Sequence, residues 1–169
     1  IQEVFSNEGV GTLVYGNEYQ QIRQANRDDI TLVYHLTRSS VKKDELLPRT
    51  LESIESNIES YFVYEIDGNM IACMLLSSFE SQPQTREINS LFVHPLYQKQ
   101  GIGKKLVNFA SHQAKNDGAS RIVALSTQSI TFFKLVCGFE EGDSKHLPEE
   151  RRISWSSNQR SSMIMIKEL

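Results

Sequence analysis

Cysteine is scarce in this 169-residue chain: Cys73 and Cys137 are the two present, each among apolar neighbours, in IACML and LVCGF. That context reads as small core residues rather than a disulfide, which makes a reducing cytoplasm the default setting. Positive charge is not in excess either. The formal net charge is −3, whereas a nucleic-acid binder carries a strong basic bias; a local basic pocket stays open. No apolar run reaches membrane-spanning length and no signal-peptide pattern opens the chain. The histidines, His35, His94, His112 and His146, lack metal-ligand spacing, so no metal is expected. Internal repeats and low-complexity tracts are missing. So is an initiating methionine: the chain opens at Ile1, and a glycine-punctuated stretch to Gly16 precedes the first clear element, as in a piece of a longer protein.

What is present suits one globular domain, with 39% hydrophobic and 23% charged residues. Tyr19 to Ala25 reads as a short strand. Asn26 or Asp28 can cap a helix to about Thr37, and Lys42 to Leu47 reads as a turn. Pro48 can open a second helix with Leu51, Ile54 and Ile58 on one side. Tyr61 to Ile66 and Met70 to Ser78 flank the hairpin signal Asp67-Gly68-Asn69. After a polar loop, Arg86 to Val93 forms another strand, cut off at His94-Pro95. Gly101 to Lys115 is helical, Arg121 to Leu125 a buried strand, and Ser129 to Val136 a short helix ended by Gly138. The remainder, with Trp155 and Met163 to Ile166, offers one or two last strands. The order predicts an α/β layered architecture on a mixed sheet.

The most informative stretch runs from Val93-His94-Pro95 to Gly101-Ile102-Gly103-Lys104-Lys105-Leu106. It leaves a strand, turns at a proline and enters a helix through paired glycines. Such a loop offers unpaired N–H groups and the positive end of the helix dipole to an anion, and a pyrophosphate fits there. Gly101 and Gly103 allow close backbone approach, and Lys99, Lys104 and Lys105 add positive charge. A dinucleotide fingerprint would need a third glycine where Leu106 stands, and the Gly-Lys-Ser/Thr of a P-loop is missing. Alone, the signal also fits a tight turn with solvated lysines.

Gln98-x-x-Gly101-x-Gly103, after a strand ending Val93-His94-Pro95, resembles the acetyl-CoA-binding motif of GNAT acetyltransferases. Phe132-Phe133-Lys134-Leu135-Val136-Cys137-Gly138-Phe139 resembles that family's second motif. The resemblance covers about Gln21 to Phe139. It implies the GNAT acyl-CoA N-acyltransferase fold, a mixed, mostly antiparallel sheet splayed at the cofactor site, with helices on both faces. Acetyl-CoA would be the co-substrate, held by Leu91, Phe92, Val93, Gln98, Lys99, Gln100, Gly101, Ile102, Gly103, Lys104 and Phe133.

A narrower likeness runs through Glu87-Ile88, Leu125-Ser126-Thr127, Leu147-Pro148-Glu149-Glu150-Arg151-Arg152 and Asn158-Gln159-Arg160-Ser161-Ser162. These segments resemble the C-terminal acetyltransferase domain of bacterial N-acetylglutamate synthases, which acetylate glutamate in the first step of arginine biosynthesis. Gly9-Val10-Gly11-Thr12 resembles the join to that family's amino-acid-kinase-like domain, so residues 1–18 would be a linker or its remnant and 19–169 the acetyltransferase domain. The acceptor implied is L-glutamate, its carboxylates held by Arg49, Arg151, Arg160 and Ser162, with Ser90 also among the substrate-binding residues. Arginine forks suit carboxylates; taken singly, each arginine also fits a solvated surface. Arg160 and Ser162 are expected on one face of a strand.

The α-amino group of glutamate is mostly ammonium at neutral pH, so a base must take a proton. Glu87 is the candidate, on a strand face expected to include Asn89 and Leu91; burial would raise its pKa into a useful range. Many GNAT enzymes protonate the leaving thiolate with a tyrosine, but Phe133 stands at that position here, and the resemblance points to Ser126 instead. Backbone N–H groups from Leu91 to Val93 would polarise the thioester carbonyl. Other readings stay open: another small amine or a protein N-terminus as acceptor, or a non-catalytic acyl-CoA-binding module. The arginines speak against a polyamine. Oligomeric state leaves no mark in the sequence.

Overall fold

The structure, a computed structural model, describes residues 2–6, 9–13, 19–42, 49–157 and 161–169, with side chains from Tyr19 onward except those of residues 39–42. Strands β1 (Gln2–Ser6) and β2 (Gly9–Leu13) pair antiparallel as a sheet of their own, so regular structure begins earlier in the chain than the sequence suggests. Then follow β3 (Gln20–Gln24), α1 (Ile30–Lys42), α2 (Leu51–Ser56), β4 (Tyr61–Ile66), β5 (Asn69–Ser78), β6 (Thr85–Val93), α3 (Ile102–Asn116), β7 (Arg121–Ser126), β8 (Glu140–Glu141), α4 (Glu149–Ser157) and β9 (Met163–Glu168). The large sheet has seven strands in the order β3-β4-β5-β6-β7-β9-β8. It is mixed: β6 and β7 run parallel and every other neighbouring pair is antiparallel.

Local chemistry explains most boundaries. Asn26 accepts from the Asp28 N–H and Asp29 accepts from the Asn26 N–H, a reciprocal cap that starts the turn leading into α1. α1 runs on to Lys42, past the expected end near Thr37. Thr50 caps α2, so Arg49 lies just before that helix; Pro48 and most of the expected turn at Lys42 to Leu47 lie outside the described residues. Asp67 (φ 49) and Gly68 (φ 78) both take left-handed backbone, the requirement of a two-residue hairpin turn between β4 and β5. The last part of the chain departs from expectation: Trp155 lies on a helix, α4, not on a strand.

Alternation along the strands sends apolar side chains to two faces. On one, Leu106, Ala110 and Ala114 of α3 pack on Ala72, Met74, Ile122 and Met165. On the other, Val33 of α1 and Ile54 of α2 pack on Val63, Cys73 and Leu75. α4 covers the far end of that second face, where Trp155 meets Val123, Leu147 and Ile164. Val33, Ile54 and Leu106 are each 0% exposed, and burying such a side chain contributes roughly 1.5–3 kcal/mol.

Polar groups pin the sheet's first edge. Arg23 of β3 donates to Asp29 at 2.7 Å and to Glu65 of β4 at 2.6 Å, and Gln21 donates to Glu65 at 2.7 Å. The guanidinium holds both carboxyls below the usual carboxylate range, its hydrogen bonds being the main cause. Depressed carboxyl pKa values stabilise the fold above pH ~4, and that contribution fades as pH falls through the folded values. Arg23→Ala should therefore cost about 3 kcal/mol in urea unfolding at pH 7. The difference from wild type should shrink as unfolding is repeated at successively lower pH below 4.

Candidate active site

β6 and β7 pair only over Thr85 to Ile88 and Arg121 to Ala124. Beyond Ile88 they part, because β6 carries an extra residue. Ser90 takes left-handed backbone (φ 51) and the register against β5 shifts between Cys73 and Leu75. Such a bulge bends a strand and re-aims its side chains. Before it, Ile88 faces α3 and Asn89 the opposite side; after it, Leu91 and Val93 face α3 while Phe92 joins the cluster under α1. Leu91 therefore does not share a face with Glu87, as plain alternation had implied. The backbone from Asn89 to Val93 keeps β5 on one side and opens on the other into a cleft of about 750 Å³.

The α3 end of this cleft is rich in free donors. Lys105 is the first residue of the helix whose N–H finds a backbone acceptor, Gly101 O at 3.0 Å. Among the described residues, the N–H groups of Gly101, Ile102, Gly103 and Lys104 have none. Gly101 sits at φ 83, a left-handed conformation natural to glycine. Gly103 packs closely: a Cβ there would lie 3.2 Å from the Phe132 ring, which would have to shift by a few tenths of an ångström. Lys99 (φ 61) and Lys104 line the cleft. Lys105 does not: its ammonium reaches Gln20 at 3.2 Å and the Tyr64 hydroxyl at 3.3 Å, tying α3 to the sheet's first strands. Gln98 donates to Val93 O at 3.0 Å and braces the turn. Gln100 turns its side chain back to Leu96 O and lies outside the cleft wall, contrary to expectation.

At the other end the cleft meets α4. Glu87, 1% exposed, accepts from Arg151 Nε with both oxygens, at 3.0 and 2.8 Å. The sequence offers Glu87 as a base and Arg151 as a carboxylate ligand, without pairing them; the structure joins the two. Arg151 Nη1 donates to Ser154, while Nη2 has no partner among the described residues. Arg49 Nε lies 3.4 Å from Ser90 Oγ. Ser126 Oγ accepts from the Ser129 N–H at 2.8 Å, which leaves its own proton free to donate. Ser162 is on the wall but precedes β9 rather than lying on a strand, and its carbonyl accepts from Trp155 Nε1 at 3.1 Å. Arg160 lies outside the described residues.

Of the residues singled out from sequence, Glu87, Ser90, Leu91, Phe92, Val93, Gln98, Lys99, Gly101, Ile102, Gly103 and Lys104 line one cleft, with Arg49, Ser126, Phe133, Arg151 and Ser162. Sequence reasoning missed Phe132 and Trp155. Phe132 carried a signal, since it neighbours Phe133 in a recognisable motif; its segment is a π-helical turn, which places both rings on the cleft side. The cysteines offer no nucleophile: burial pushes the Cys73 thiol up to about 12 and the Cys137 thiol up to about 11. No helix among the described residues is long and apolar enough to cross a membrane, and no metal-holding cluster of His, Cys, Asp or Glu occurs among them.

Residues 21–139 match the model of the Acetyltransferase (GNAT) family. The chain belongs to the GNAT acetyltransferases. A curated GNAT relative, the amino-acid acetyltransferase of Neisseria meningitidis (serogroup A / serotype 4A), is 34% identical over 169 residues, all of this chain and 38% of the relative. Among solved structures, N-acetylglutamate synthase from Neisseria gonorrhoeae complexed with coenzyme A and N-acetyl-glutamate superposes with a TM-score of 0.85 at 34% identity. That match covers 91% of this chain and 36% of the other. The same enzyme complexed with coenzyme A and L-arginine gives a TM-score of 0.80, 33% identity and coverage of 99% and 37%. The chain thus spans little more than a third of the length of these relatives.

The Glu87–Arg151 pair predicts a thermodynamic cycle. Arg151→Ala strands a buried carboxylate and should cost about 3–5 kcal/mol in urea unfolding. Glu87→Gln combined with Arg151→Met should recover most of that loss. Equal instability of the single and double variants would show that the pair does not hold α4.

Proposed function

We propose that this GNAT domain transfers the acetyl group of acetyl-CoA to the α-amino group of L-glutamate, by direct attack with both substrates bound. One observation carries the reading: a single cleft brings Arg49, Arg151, Ser162 and the buried Glu87 next to a helix start with four unpartnered amides. The likeness to N-acetylglutamate synthase over nearly the whole chain supports the same assignment.

The residues fit a CoA diphosphate. Amides of Gly101 to Lys104 would donate to it at the positive end of the α3 dipole, with Lys99 and Lys104 adding charge. The open edge of β6 from Asn89 to Val93 would accept the pantetheine as a strand-like partner. Acetyl-CoA supplies an acyl group activated as a thioester. Arg49, the free Nη2 of Arg151 and Ser162 would hold the acceptor's carboxylates, with Arg160 as a further ligand implied by its motif. Glu87 would receive the ammonium proton, directly or through a water, so that the nitrogen lone pair can form the new C–N bond as the C–S bond breaks. Backbone N–H groups beyond the bulge would meet the charge that develops on the carbonyl oxygen. Ser126, whose proton is uncommitted, would return a proton to the departing sulfur. Direct transfer agrees with the lack of a usable thiol, since both cysteines hold their protons far above neutrality.

Incubating the protein with acetyl-CoA should give free thiol at a rate that depends on L-glutamate. Thiol release that no concentration of glutamate accelerates would remove the assignment. Glu87→Gln should lower kcat by about 10²–10⁴-fold with little change in KM for acetyl-CoA; an unchanged kcat at pH 7 would remove Glu87 as the base.

A further inference from the structure

We infer that Trp155 sets how long an acceptor the cleft can take, an assignment that rests on the glutamate reading. Two hollows meet at this side chain. The cleft, of about 750 Å³, has Trp155 and Ser162 in its wall. A second hollow of about 440 Å³, bounded by the segment from Glu141 to Ser144 and by Met163 and Ile164, is lined by the same two residues. Among the described residues, Trp155 and Ser162 alone line both. The indole is the partition.

Its position is fixed from three directions. Trp155 lies four residues after Arg151 on α4, so the two project from the same helix face, and Arg151 is anchored on Glu87. The ring packs on Val123, Leu147 and Ile164. Its Nε1 donates to Ser162 O at 3.1 Å. An indole held by packing and a hydrogen bond is a rigid wall, whereas an unanchored side chain would swing away from a longer ligand. The wall stands beside the groups assigned to the acceptor's carboxylates, Arg151 and Ser162, and away from the amides of α3. It therefore limits the acceptor rather than the CoA.

A wall of this kind discriminates by length. One methylene too many in a closed apolar pocket typically costs about 10–200-fold in kcat/KM. Opening the wall joins the second hollow to the first and removes that penalty.

Wild type and Trp155→Ala are compared by thiol release with acetyl-CoA and L-glutamate, L-2-aminoadipate (one methylene longer) or L-2-aminopimelate (two longer), with a dipeptide and a polyamine completing the panel. Wild type should favour glutamate over 2-aminoadipate by at least about 10-fold in kcat/KM. Trp155→Ala should bring the two within about 3-fold, mostly through KM. Trp155→Phe, which keeps an apolar ring and loses the bond to Ser162, should lie between them and serves where the alanine variant does not fold. Trp155 is the single tryptophan of the chain, so wild-type indole emission reports directly on this wall and should shift when the acceptor binds.

Failure of the glutamate reading shows as no release with any of the amino dicarboxylates in wild type and variants alike, while another amine on the panel turns over. The wall is then judged by the emission shift with that amine and by variant tolerance of its longer homologue. Length ratios equal in wild type and both variants, or an emission spectrum that no turned-over acceptor shifts, overturn the inference. A protein silent on the whole panel overturns both readings.

Discussion

The functional architecture depends on where two parallel strands stop pairing. β6 and β7 hold together over four register pairs and then separate at Ile88 and Ala124. A parallel ladder that ends in the middle of a sheet would normally leave backbone groups unpaired in the interior, at a cost of a hydrogen bond each. Here the cost is avoided because the edge faces a cleft open to solvent and ligand. The bulge at Ser90 makes the separation possible by bending β6, and it also turns Phe92 into the core beneath α1 while Leu91 and Val93 face α3.

The second organising interaction is the ion pair between Glu87 and Arg151. Glu87 is on a central strand and Arg151 is on the last helix. A carboxylate this buried requires a partner, and the partner it has is delivered by α4. The same helix delivers Trp155 one turn later. Docking α4 thus completes one end of the cleft, while α3 completes the other. Each end is built by a helix whose first turns do the work, α3 through free amides and α4 through side chains.

Much of this was legible in the sequence. The hairpin at Asp67-Gly68 follows from two residues that tolerate left-handed backbone, and the structure places both there. The glycines at 101 and 103 pointed to a helix start that exposes its amides, which is what the hydrogen bonding shows. Resemblance marked out residues that converge on one cleft from β6, α3, β7, α4 and the segments between elements, with Gln100 off its wall. Other features were illegible for physical reasons. A bulge changes alternation without changing composition, so Leu91 was assigned to the wrong face. Lys105 reads like Lys104 in sequence, but one residue of helix turns it by 100°, toward Tyr64 instead of the cleft. The segment around Trp155 has a weak pattern: Ile153 is exposed and no residue of α4 is fully buried. The helix therefore carried little apolar periodicity, and it owes its docking to long-range pairs that local sequence does not encode.

The short seam between β6 and β7 has a mechanical meaning. It divides the seven-stranded sheet into two leaves, β3 to β6 and β7 to β9, joined edge to edge over a fraction of their length. What keeps the leaves from fanning apart is α3, whose apolar stripe lies across Ala72 and Met74 on one leaf and Ile122 and Met165 on the other. The helix that offers its amino end to a ligand is also the brace across the joint. A ligand gripping that end would bear directly on the joint between the two leaves.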